Sequence, residues 1–348
     1  MGNPESTFPA IANPPMNIVG TTLFLSYIGL ALYFTIQITT ALRHQYLQIP
    51  RAKRLKARHV RRLAVLSAIS FATLSFHMCW FLIRSYTRWS ERYALRSSDF
   101  SALTLRTWML DSTLFQDFAS ELVRDGPSSI WTQTSLLAAW FWNVWVAQEA
   151  RHRGLGRQTM RSYIVLGQIL PASFSATLFM IHLQLLSIKA KTNGASAKTA
   201  LVRADSPKKK RKDKKSESAD GTNPTQSNGV LAKPAPQSHR AFSLMLPTIM
   251  FNALLMILPP AQRSSYFIPL VLLIRFTLFL PHRIPLGKGA DDMASSAVLS
   301  AGFVLANANF LHRGYSLREL ARGLRTGGHA VKALAWDALI SVLVAAMI

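Results

Sequence analysis

Acidic residues and cysteine are what this chain has least of. It holds 16 Asp+Glu against 40 Lys+Arg in 348 residues, a formal net charge of +24. Charged residues of both signs amount to 16%, where a soluble domain carries about 25%. So little charge cannot cover a soluble protein of this size, and a mean hydropathy of +0.17 directs attention to long uncharged runs. Cys79 is the single cysteine, which excludes an intramolecular disulfide and a thiolate metal cluster. No glycosylation sequon is present, because Asn223 is followed by Pro224. Paired histidine motifs and acid-rich diphosphate-binding motifs are missing too, and Gly154-Leu155-Gly156 lacks the third glycine of a dinucleotide loop. No catalytic motif names a reaction, and no cofactor or metal is implied.

What is present is a series of apolar runs. The first, 16–39, is long enough to cross about 30 Å of hydrocarbon, and only Glu5 is charged before Arg43, which fits an uncleaved signal anchor. A second run follows at 63–83, and further candidates are 127–147, 163–188, 241–258, 265–280, 293–311 and 330–348. The expected fold is therefore all-α, a polytopic transmembrane bundle of seven or eight helices. Between the second and third runs, Leu110, Leu114, Phe118 and Leu122 recur every four residues among Asp111, Asp117 and Glu121. That pattern predicts one amphipathic interfacial helix over 101–123.

Segment 189–240 has a different composition, rich in Lys, Ser, Ala and Pro and nearly without aromatics. Such a stretch cannot bury enough apolar surface to offset its ordering entropy, and reads as a disordered basic linker. It separates an N-terminal membrane half, 1–188, from a C-terminal half, 241–348. Its polybasic core is Lys208, Lys209, Lys210, Arg211 and Lys212, then Lys214 and Lys215. Three readings fit: a solvated charge run, contact with anionic lipids, or a nuclear-import signal at the nuclear envelope. Nucleic acid is disfavoured because no aromatic side chains interleave the lysines. Ser206, followed by Pro207 and lysines, is a candidate phosphosite whose added negative charge would weaken lipid contact.

The charge pattern also sets up a conflict. The 43–62 loop carries Arg43, Arg51, Lys53, Arg54, Lys56, Arg58, Arg61 and Arg62 with no acid, which assigns it to the cytosol and the N-terminus outside. Eight alternating crossings would then carry the still more basic 189–240 linker to the other side.

Ionisable groups inside apolar runs are where function is sought first. Asp337 sits mid-run near the C-terminus and Arg275 lies in the sixth run, so an intramembrane Arg275–Asp337 ion pair is expected. His77 and His182 are lone histidines in the second and fourth runs. Three roles compete. The first is a non-catalytic endomembrane scaffold that organises lipid or a membrane-protein partner, in the endoplasmic reticulum or a related membrane. The second is a membrane-embedded enzyme on an apolar lipid- or isoprenoid-like substrate, using Asp337 with His77 or His182. The third is a small transporter with the ion pair on its path.

The stretch 122–154, with Trp131-Thr132-Gln133, Asn143-Val144-Trp145 and Glu149-Ala150-Arg151, and the ending Ala330-Val331-Lys332-Ala333-Leu334-Ala335-Trp336-Asp337, resemble uncharacterised multi-pass integral membrane proteins of filamentous fungi. The resemblance implies a helical membrane protein and carries no activity or catalytic residue with it. The Lys-rich linker departs from that group.

Overall fold

A computed structural model describes residues 16–50, 58–94, 101–204, 243–284, 290–312 and 317–347, and among these no strand occurs. In chain order the helices are α1 (Ile18–Leu47), α2 (Arg58–Arg92), α3 (Ala102–Asp111), α4 (Leu114–Leu122), α5 (Gly126–His152), α6 (Arg157–Ile169) and α7 (Ala172–Ala204). They continue as α8 (Met245–Ile257), a 3-10 turn (Pro260–Arg263), α9 (Phe267–Thr277), α10 (Leu280–Arg283), α11 (Ala290–His312), α12 (Leu317–Thr326) and α13 (His329–Ala345). The two expected membrane halves form one compact unit, Met1–Leu185 with Ala241–Ile348, and Leu186–Arg240 forms a second. Of that second unit the described part is the distal backbone of α7, so helix continues past the boundary expected at 188. Ser206 and the lysine-rich run 208–215 lie outside the described residues.

Among the described residues, three helices are long and apolar enough to cross a membrane: Ile18–Leu47, Arg58–Arg92 and Ala172–Ala190 within α7. The expectation of seven or eight spans is corrected accordingly, and the reasons are local. α8, α9 and α13 have 13, 11 and 17 residues, which at about 1.5 Å per residue fall short of about 30 Å of hydrocarbon. α5 is 27 residues long, but Ser128, Ser129, Thr132, Gln133, Ser135 and Asn143 dilute its apolar content and are buried. The run 163–188 is broken at Pro171, which has no N–H to continue a helix and disfavours helical geometry in the residue before it. α1 is the opposite case from α5. Of its 30 residues only Ala31, Ile38 and Leu42 are buried, so nearly the whole apolar surface of the helix faces outward.

Side-chain hydrogen bonds fix the direction of each helix. Ser162 Oγ donates to Gln37 Oε1 at 3.2 Å and the Tyr27 hydroxyl donates to the Ile169 carbonyl, so α6 runs antiparallel to α1. After Pro171, α7 folds back on α6: Ser175 Oγ donates to the Tyr163 carbonyl at 3.1 Å. The rings of Phe179 and His182 lie 5.4 and 5.7 Å from that of Tyr163. The pair α6–α7 is thus a helical hairpin with its tip inside the unit. α7 heads back toward the end where α6 began, beside the last turns of α1.

α8 runs antiparallel to α5, because Gln133 Nε2 donates to the Leu255 carbonyl and Trp140 Nε1 to Thr248 Oγ1, both at 3.1 Å. The Trp140 indole stacks on Phe251 with centroids 4.9 Å apart. α11 lies parallel to α8, tied by Asn252 Nδ2 donating to Ser300 Oγ at 2.8 Å. α8 therefore begins in the same half of the unit that α7 leaves. A single span over 163–188 would have put these two points at opposite ends.

The single amphipathic helix expected over 101–123 is two helices, α3 and α4, separated at Ser112, whose backbone is extended. Their apolar faces do not lie free. Trp108 and Leu114 are buried with Phe81 and Trp89 of α2, and Trp89 Nε1 and the Tyr93 hydroxyl both donate to Asp111 Oδ2, at 2.8 and 2.7 Å. The start of α1 docks there too, with Asn17 Nδ2 donating to the Ser112 carbonyl at 2.9 Å.

A second amphipathic element was not anticipated. In α12, Arg318, Arg322 and Arg325 are exposed while Leu320, Gly323 and Leu324 are half-buried. Trp131 Nε1 of α5 donates to the Leu320 carbonyl at 3.1 Å, and a Cβ added at Gly323 would stand 2.4 Å from Pro127 Cβ. Close approach to α5 thus requires glycine at 323. Gly323→Ala is expected to destabilise the protein by about 1–3 kcal/mol through overpacking. Gly302→Ala, in α11 with nothing within 4 Å, should stabilise it by about 0.5–1 kcal/mol through helix propensity. Thermal unfolding of the two variants in one detergent checks the contrast.

Candidate functional site

The polar centre of the unit forms where the α6–α7 hairpin turns. Leu170 is extended, Pro171 contributes its carbonyl to the first helical bond of α7, and the next N–H groups have no partner within their own helix. The carboxylate of Asp337, from the middle of α13, fills that gap. Oδ2 accepts the Ala172 N–H at 3.0 Å, and Oδ1 accepts the Ser173 N–H at 3.0 Å and the Ser173 hydroxyl at 2.6 Å. Ser70 Oγ of α2 is 2.6 Å from Ser173 Oγ. Since the single hydroxyl hydrogen of Ser173 goes to Asp337, the Ser70 hydroxyl is the donor in that second bond. Asp337 is 5% exposed and Ser173 fully buried. The arrangement is an N-cap supplied from another helix, favoured both by hydrogen bonding and by the positive end of the α7 dipole.

Two turns back along α13 the same α2–α13 seam holds a second polar pair. His329 Nδ1 lies 3.2 Å from His77 Nδ1, so one ring donates and the other accepts. Trp80 stacks on His329 at 6.0 Å and 12°, and Phe76 meets His77 edge-on at 5.3 Å. The start of α13 is itself capped from outside. Glu121 of α4 accepts the Ala330 N–H, and burial pushes its carboxyl above the ordinary value against the pull of Arg124, Arg84 and Arg88. A Cβ at Gly328 would fall on Glu121 Oε1, at 1.1 Å, so the carboxylate reaches the helix only because residue 328 has no side chain. A third case is Asp292 of α11, whose Oδ2 accepts the Leu244 N–H at the start of α8 at 3.0 Å.

These contacts revise the expected site. Asp337 is buried as expected, but among the described residues it makes no ion pair. Arg275, half-buried near the end of α9, acts on it only as a remote charge. The Arg275–Asp337 pair is therefore corrected: three hydrogen bonds from the start of α7 engage both carboxylate oxygens in place of a guanidinium. His77 and His182 are not brought together. His182 packs on Tyr163 at the far side of the α6–α7 hairpin, and His77 faces His329. No group of three or more metal-ligating side chains exists among the described residues.

Ser70, Ser173, Glu121 and His329 were missed by sequence reasoning. The signal available for two of them was negative: Leu170-Pro171-Ala172 and Gly327-Gly328-His329 begin helices with no local Ser, Thr, Asp or Asn in the capping position.

The site defines a helical bundle whose centre is built from helix ends and borrowed carboxylates. No family model, curated protein or solved structure matches this chain.

Asp337→Ala should lower stability by about 1–3 kcal/mol for each buried donor it leaves open. Asp337→Asn retains one carbonyl oxygen and should lose less, and Arg275→Gln should leave stability nearly unchanged. Thermal unfolding of the three variants tests this order. A loss in Arg275→Gln equal to that in Asp337→Ala would restore the direct ion pair.

Proposed function

We propose that the chain is a multi-pass integral protein of an endomembrane and that its role is non-catalytic, organising lipid or a membrane-protein partner. The observation that carries this reading is the state of Asp337. The most deeply placed carboxylate, the natural first choice for an acid–base residue, has both oxygens engaged by the α7 N-terminus and the Ser173 hydroxyl, which in turn accepts from Ser70. A general base must reach substrate, and this carboxylate is buried with three acceptor positions committed to holding helices together. The nearly unburied apolar surface of α1 supports contact with lipid or a partner helix.

The enzyme and scaffold readings separate in one experiment. In a scaffold, function follows folding, so Asp337→Asn, Asp337→Ala and Ser173→Ala should lose membrane abundance and in-cell function in parallel. An Asp337→Asn protein of normal abundance that reproduces the deletion phenotype would favour the enzyme.

The same geometry supports an orientation. The α6–α7 hairpin returns the chain to the end that holds the basic 43–62 loop, and α8 starts in that half. In our reading the loop and the segment between α7 and α8 both face the cytosol, in agreement with the positive-inside rule. Engineered glycosylation acceptors within 51–57 and 222–238 should stay unmodified in microsomes, and one ahead of Asn17 should be modified. Modification of the 222–238 acceptor alone would mean that α7 crosses to the opposite side.

A further inference from the structure

α1 carries a groove of about 630 Å3 lined by Tyr33, Ile36, Gln37, Thr40, Ala41 and His44. These positions follow a single helix face at the i, i+3/i+4, i+7/i+8, i+11 spacing. All six side chains are exposed, and the short Thr40 and Ala41 leave the space between Tyr33 and Ile36 on one side and His44 on the other. At about 1.5 Å per residue the stretch from Tyr33 to His44 is about 16 Å long, half of the about 30 Å hydrocarbon thickness and so the acyl depth of one leaflet.

The two ends of the groove differ chemically. Toward Tyr33 it continues into the apolar, outward-facing middle of α1. Toward His44 it opens at the basic end, beside exposed Arg43. The antiparallel register set by Ser162 with Gln37 and by Ile169 with Tyr27 places the first turns of α6 alongside this part of α1. Those turns carry exposed Arg157 and Arg161. Arg43, Arg157 and Arg161 make no ion pair among the described residues, and Glu149, the nearest acid in sequence, is bonded to Arg153.

We propose that this groove binds one anionic glycerophospholipid of the leaflet at the 43–62 end. One acyl chain lies along Thr40 and Ala41, and the phosphate and its headgroup charge meet His44, Arg43 and the α6 arginines. An apolar slot of one-leaflet depth fits a chain, and a mouth of unpaired guanidinium groups without acids selects negative headgroups over zwitterionic ones. The proposal rests on the membrane-embedded, lipid-organising reading given above and names the lipid class for it.

The test uses the full chain reconstituted in nanodiscs of phosphatidylcholine containing a minority of phosphatidylserine, with retained lipid read by native mass spectrometry. The wild-type chain should retain phosphatidylserine about tenfold above its share of the bilayer, the order expected for a few basic side chains at the headgroup. Ala41→Trp, which fills the groove, should reduce retained lipid about tenfold, and Thr40→Leu should reduce it less. The double variant Arg157→Gln/Arg161→Gln should keep a bound lipid and lose the preference for phosphatidylserine. Ile69→Trp, on the exposed face of α2, should change neither. Thermal unfolding of each variant separates lost binding from lost folding, and Thr40→Leu remains informative if Ala41→Trp does not fold. Wild-type retention in both groove variants overturns the site, and unchanged headgroup preference in the arginine variant overturns the anionic selection. Extraction of the wild-type chain from membranes by alkaline carbonate would defeat the membrane-embedded reading itself, an outcome separate from either of these.

Discussion

A carboxylate from one helix closing the N-terminus of another is the interaction on which this structure depends. Asp337 of α13 does it for α7, Glu121 of α4 for α13, and Asp292 of α11 for α8. Each bond joins elements distant in sequence, so the order α4 to α13 to α7 is a chain of dependencies. If Glu121 did not fix the start of α13, Asp337 two turns further along would not be placed against Pro171. An anion at a helix N-terminus contributes about 0.3–1 kcal/mol at a surface and up to about 2 kcal/mol when partly buried. The alternative inside an apolar bundle is an open backbone donor, costing about 1–3 kcal/mol, and so geometry and energy favour the same arrangement. In a chain with 16 acids, these placements account for several of the few available.

This explains how α6–α7 can turn back in the interior. Non-helical backbone at membrane depth is tolerated only where protein satisfies its polar groups. The tip of the hairpin meets that condition through Asp337 and Ser173, with Ser70 completing the network from α2. The price is a deeply buried carboxylate, and its cost is lowered by three hydrogen bonds in place of a counter-ion.

Composition made the helical class legible: low charge, long apolar runs and no β signature. The positions of α1, α2 and α5 were also readable from the runs that contain them. The span count was not, because hydropathy scored 163–188 as continuous although Pro171 divides it, and scored 241–258 and 265–280 as spans although α8 and α9 have 13 and 11 residues. Asp337 was legible as buried and engaged, since an isolated carboxylate within an apolar run must find partners. Its partners were not. An ion pair is the solution that sequence suggests, because charges are visible in sequence and free helix N–H groups are not. α12 was missed for another reason: ten residues rich in arginine look like a loop until Gly323 is seen against Pro127 and Trp131 against Leu320.

The conflict over the basic linker rests on the same way of counting. Counting apolar runs as alternating crossings treats each as a full traverse, and one hairpin miscounted as one traverse inverts everything downstream. With α7 folded back along α6, alternation no longer forces the two basic connections onto opposite sides. α1 ends and α6 begins on the side where Arg43, Arg157 and Arg161 are exposed. The acids Asp111, Asp117, Glu121 and Asp125 gather around α3, α4 and the start of α5, where Arg84, Arg88, Arg92 and Arg124 lie among them. Arginine is thus exposed at both ends of the fold and acid is gathered mainly at one, a pattern that becomes readable only after the buried carboxylate has decided where the chain turns.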